Sequence, residues 1–112
     1  MAQKRTYAHL LRSYFDGRID ALIHLFDMRS QYNKYSREAK QFVEEVKQVI
    51  DDFLSEQSPE IQEMYYKKYR DGIPFGDFYN IVAPTNKILA LNADLKQRVE
   101  AIKQPERFYI YT

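Results

Sequence analysis

The chain has no cysteine and no tryptophan, and only three glycines and four prolines in 112 residues. Without cysteine there is no disulfide and no thiolate metal site. So few turn-forming residues leave room for few, short connections. No apolar run approaches the roughly 20 residues a bilayer-spanning helix needs, so no membrane partner is expected. The start, Met1-Ala-Gln-Lys-Arg-Thr-Tyr7, lacks the apolar stretch of a secretory signal, and a cytoplasmic location is the expectation. There is no glycine-rich phosphate loop, no low-complexity stretch and no internal repeat.

What is present is a globular composition. Hydrophobic residues make up 45% and charged residues 29%, which argues against disorder, and the length suits one domain. The net charge of +1 hides an uneven distribution. Residues 1–36 carry six Lys/Arg against three Asp, residues 37–63 three against eight acids, and residues 64–112 eight against five. An acidic middle between mildly basic ends either orients the protein on an anion or is a solvated helix surface. Ten tyrosines and seven phenylalanines are many rings for so small a core. Tyrosine suits interfaces, so some of them are expected to meet a partner or a second copy.

Apolar spacing of three and four recurs along most of the chain. Tyr7, Leu11, Phe15, Ile19, Leu22, Leu25 and Phe26 predict a long first helix, about Arg5 to Met28, kinked or briefly broken at Asp16-Gly17. Residues 29–36 lack periodicity and read as a loop. Ser36 is the expected N-cap of a second helix over 37–55, whose stripe is Ala39, Phe42, Val43, Val46, Val49, Ile50, Phe53 and Leu54. Ser58-Pro59-Glu60 opens a third helix, with Ile61, Met64, Tyr65 and Tyr69 facing inward and Asp71-Gly72 ending it. Phe75, Phe78, Tyr79 and Val82 predict a short fourth helix over 75–82. Pro84 breaks the chain, and Thr85 or Asn86 caps a fifth helix with Ile88, Leu91, Leu95, Val99 and Ile102 inward and Pro105 at its end. The expected fold is all-α: a compact bundle of about five helices in one domain. It comprises an N-terminal helical hairpin (5–55), a trihelical unit (58–103) and an extended, strand-like tail (104–112).

No catalytic constellation is present. His9 and His24 lie fifteen residues apart. On one straight helix that is about 60° of rotation but some four turns of rise, so they cannot share a metal. Asp51-Asp52 are helix neighbours and do not converge. The chain is therefore expected not to be an enzyme, and to need no cofactor or metal.

The breaks around the short helix suggest a helix-turn-helix unit, which reads duplex DNA through its second helix. With Ile88, Leu91, Leu95 and Val99 on the core, the last helix turns Asn86, Ala90, Ala93 and Gln97 outward. Thr85, Asn86 and Lys87 stand at its N-terminus, where backbone N–H groups favour a phosphate. Asn86 and Gln97 suit adenine edges, and Ala90 leaves space for the groove. Lys67, Lys68 and Arg70 of the preceding helix are candidate grips on the DNA backbone. A second reading uses the same surface for protein. Leu89 and Ala93 suit close packing against another helix, and Tyr109 and Tyr111 of the tail are candidate interface residues for an adaptor, an inhibitor or a homodimer.

The run Ile61-Gln-Glu-Met-Tyr-Tyr-Lys-Lys-Tyr-Arg-Asp-Gly-Ile-Pro-Phe75 resembles the entry to the promoter-binding C-terminal domain of bacterial sigma factors, and small phage transcription regulators built on it. Tyr69, Asp71-Gly72, Phe78 and Ile88 fall near the corresponding places. The resemblance implies a regulator that binds duplex DNA sequence-specifically through residues Thr85 to Gln97.

Overall fold

A computed structural model describes residues 2–105 of the chain. Five α-helices and one turn of 3-10 helix are present among these residues: α1 (Ala2–Phe15), α2 (Arg18–Arg29), α3 (Lys34–Ser55), α4 (Pro59–Tyr69), the 3-10 turn Phe75–Phe78, and α5 (Thr85–Glu100). The fold is all-α, with no strand among the described residues. No described helix is long and apolar enough to cross a membrane.

The expected interruption of the first helical segment is a full break. Gly17 sits at φ +86°, a left-handed conformation that glycine adopts without a side-chain clash. The Asp16 carboxylate then accepts from the Arg18 backbone N–H at 3.0 Å and pairs with the Arg18 Nε at 2.7 Å, which starts α2 in a new direction. The following loop is shorter than residues 29–36. Asn33, not Ser36, caps α3: its side chain accepts from the Tyr35 N–H at 2.8 Å. Ser36 is buried inside the first turn and so cannot be the cap.

Local chemistry sets α4 as expected. Pro59 is its first residue and the Ser58 hydroxyl accepts from the Ile61 N–H at 3.3 Å. Gly72, at φ +78°, lets the chain turn away, and the Ile73 N–H donates to the Lys67 carbonyl at 3.1 Å. The fourth helix expected over 75–82 is only the 3-10 turn. Phe78 is buried, and the chain then doubles back through a tight turn in which Asn80 takes φ +63° and donates its N–H to the Ala83 carbonyl at 2.8 Å. Reversing direction there is incompatible with a continuous α-helix. Pro84 occupies the cap position of α5, and neither Thr85 nor Asn86 caps it. Instead the Asn80 side chain reaches forward and accepts from the Thr85 N–H at 3.3 Å. The helix stops at Glu100, before Pro105.

The 22 residues of α3 form the central rod, about 33 Å long. Helix α2 lies antiparallel along it, α5 lies on it and on α1, and α4 lies on α1. The core gathers Leu10, Leu11, Phe15 and Ile19 against Phe42, Val43, Val46, Ile50 and Phe53 of α3, with Met64, Tyr65, Ile88 and Leu95 closing it. Each such side chain contributes roughly 1.5–3 kcal/mol when fully removed from water. An aromatic cluster joins α1 to α4. Phe15 stacks on Tyr69 at 5.4 Å between ring centroids and meets Tyr66 edge-on at 4.9 Å. The Tyr14 hydroxyl donates to Asp51, tying α1 to α3. This cluster absorbs much of the aromatic excess, so among the described residues only Tyr32 and Tyr35 are substantially exposed rings. Tyr109 and Tyr111 lie outside the described residues.

Candidate interaction surfaces

The outward face of α5 is the first candidate. Ile88, Leu95 and Val99 are buried beneath it. Asn86, Lys87, Leu89, Ala90, Ala93 and Gln97 are all exposed, and Thr85 is half-buried at the start. The ridge of small and amide side chains does face solvent, because a period of 3.6 places it opposite the buried stripe. Tyr65 and Arg98 hold the helix in place. The Tyr65 hydroxyl donates to Asn92 Oδ1 at 2.8 Å. Arg98 makes a two-toothed contact with Glu56 at 2.8 Å, donates to Asp94 at 3.1 Å, and lies 5.5 Å over the Phe53 ring. This arrangement fixes α5 to the end of α3 and holds the Glu56 carboxyl below its ordinary range. It also occupies the carboxylate of Asp94, whose charge would otherwise repel a phosphate near this face.

The cations expected beside that ridge are largely engaged within the chain. Lys67 pairs with Glu63 at 3.5 Å, one turn back on α4. Lys68 lies 5.3 Å over the Phe75 ring. Arg70 is bidentate to Asp71, at 2.9 and 3.2 Å, and covers the Tyr66 ring at 5.6 Å. Only Lys87 of the four is exposed without an ion pair among the described residues. Exposed pairs of this kind exchange readily with a phosphate. The larger consideration is charge balance: residues 59–105 hold seven Lys/Arg against six Asp/Glu, a net of only +1 to attract phosphate.

The second candidate lies at the end of α2. Leu25, Met28 and Tyr32 are 39%, 56% and 87% exposed. Spacing alone places Leu25 on the inward stripe, but it points out. The break at Gly17 re-aims α2, so that Ile19, Leu22, Ile23 and Phe26 turn to the core while Ala21, Leu25 and Met28 fall on the opposite side. Two ion pairs beside them, Asp20 with Lys47 at 2.7 Å and Asp27 with Lys40 at 2.9 Å, zip α2 to α3 and leave the apolar stripe outside the seam. The signal that could have found this surface was the number of apolar residues in α2, too many for one face. Among the described residues, Tyr35, Ile81 and Leu89, 42%, 80% and 50% exposed, are the further large hydrophobic side chains outside this stretch that stand open.

His9 is half-buried on α1 and His24 exposed on α2. Among the described residues no group of three or more His, Asp or Glu is arranged to hold a metal ion. A groove runs between Glu38, Gln41, Phe42 and Glu45 of α3 and the segment 103–105.

No protein-family model matches the chain, and no curated protein or solved structure is significantly similar to it.

Proposed function

We propose that this chain is a small non-enzymatic regulator that acts by protein contact, docking a partner on the apolar patch of Leu25, Met28 and Tyr32. The observation that carries this reading is the run of three large apolar side chains left open within eight residues, beside a seam that buries their neighbours. Tyrosine recurs at the energetic centres of interfaces, and methionine adapts its shape to a partner. A cytoplasmic site of action goes with the proposal. The test compares wild-type, Leu25→Asp, Tyr32→Ala and Lys87→Glu chains as bait, after circular dichroism has established that each is folded. The first two substitutions should lose the captured protein, or the second copy of the chain, and Lys87→Glu should retain it. Identical capture by all four refutes the assignment of the patch.

A second reading, the DNA reader implied by the sigma-factor resemblance, keeps one specific support: the open N-terminal half of α5 with Asn86, Lys87 and Ala90 exposed. Fluorescence anisotropy with duplex DNA separates the two. A DNA reader shows affinity that falls steeply with salt and is abolished by Lys87→Glu; a protein-contact regulator shows neither.

A further inference from the structure

We propose that Met28 is, among the described residues, the methionine that peroxides modify, and that its oxidation interrupts the apolar patch. The chain has no cysteine, so thioethers are its only sulfur groups. Of the methionines among the described residues, Met64 is sealed in the core at 1% exposure while Met28 stands open on the outer side of α2. Its sulfur attacks one oxygen of hydrogen peroxide. The S–O bond forms as the O–O bond breaks, the sulfur loses two electrons, and the second oxygen leaves as water after proton transfer. The product is a polar, chiral sulfoxide that a thiol-driven reductase can return to the thioether. Met28 lies three residues after Leu25 and four before Tyr32 and is more than half exposed, so the new polar group sits in the middle of the patch. The first half of the inference rests on exposure alone; the second rests on the reading of the patch as a docking surface.

Trypsin separates the two sulfurs, because Ile19–Arg29 contains only Met28 and Gln48–Lys67 only Met64. Under dilute hydrogen peroxide, mass spectrometry should find Ile19–Arg29 gaining one oxygen at least about tenfold faster than Gln48–Lys67, since a core group reacts only when the structure opens. In urea the difference should vanish. Equal rates in the native protein overturn the assignment. For the patch, the probe is anilinonaphthalene sulfonate, a dye that brightens on apolar surface. Oxidation should lower its binding to the wild type and leave the Met28→Leu variant unchanged. Unaltered dye binding after complete conversion of Met28 overturns the second half. Neither readout depends on a partner, so failure of the docking proposal and failure of this inference are distinguishable.

Discussion

Replacing Tyr65 by phenylalanine deletes one hydroxyl and leaves every ring contact in place. Those contacts are extensive: Tyr65 is fully buried, meets Phe53 and Phe75 edge-on at 5.6 and 5.7 Å, and stacks with Phe15 at 6.1 Å. What is lost is the hydrogen bond to Asn92, one of the polar links that hold α5. A net hydrogen bond is worth roughly 0.5–1.5 kcal/mol. Asn92 is half-buried, so water can reach its freed oxygen, and the expected cost is about 1 kcal/mol, a fall of about 4 °C in Tm for a chain of this size. Tyr65→Ala removes the ring as well and should cost about 3–5 kcal/mol. Urea unfolding followed by circular dichroism measures both, with an unchanged denaturant slope as the check that unfolding stays two-state. Combining Tyr65→Phe with Asn92→Ala closes a double-mutant cycle whose coupling should be about 0.5–1 kcal/mol. A neutral Tyr65→Phe, or a cycle with no coupling, refutes the idea that this bond positions α5.

Asn33→Ala should cost about 1 kcal/mol in the same assay, the ordinary loss of a helix cap. Gly17→Ala should cost about 1–2 kcal/mol, because a side chain at φ +86° is strained although nothing crowds the site. On acidification, Asp27, Glu56 and Asp71 should lose their contribution. Hydrogen bonds from Lys40, Arg98 and Arg70 hold their folded pKa values below the unfolded ones, so the stabilisation is complete above the unfolded pKa, near 4, and disappears as pH falls through the depressed values. Chemical denaturation at stepped pH reads this, and a flat profile below pH 4 contradicts it. At alkaline pH, burial raises Tyr7, Tyr14 and Tyr65 and pushes Tyr69 up to about 12. Stability tied to these groups is full below the unfolded tyrosine pKa of about 10 and declines above it. Tyrosinate absorbance should therefore rise in two phases, the later one coinciding with loss of helix; a single phase near 10 counts against their burial.

Helix boundaries were legible where one residue carries the signal. Ser58-Pro59 and Gly72 mark the ends of α4 because a missing N–H and a left-handed turn are local chemistry. The start of α3 was not, since Asn33 and Ser36 both qualify as caps and only the packing of Ser36 against the core decides between them. Phe75, Phe78, Tyr79 and Val82 have helical spacing, but spacing does not distinguish an α-helix from a 3-10 turn followed by a reversal. The outward ridge of α5 was legible because its buried stripe is unambiguous. The patch of Leu25, Met28 and Tyr32 was not: both faces of α2 are apolar, and which one is covered depends on the angle set at Gly17. Pairing of the cations was half-visible, with Glu63 four residues before Lys67 and Asp71 beside Arg70.

The break at Gly17 divides labour between two consecutive helices. Helix α1 is wedged among α3, α4 and α5, whereas α2 rests chiefly on α3 and, less, on α1. Lifting the far end of α2 therefore opens the Asp27–Lys40 ion pair and its seam with α3 while the aromatic cluster stays shut. Amide hydrogens near Leu25 and Met28 should exchange ahead of those in α1, so the stretch that leaves these apolar side chains open is also one the chain can remodel at little expense to the remainder.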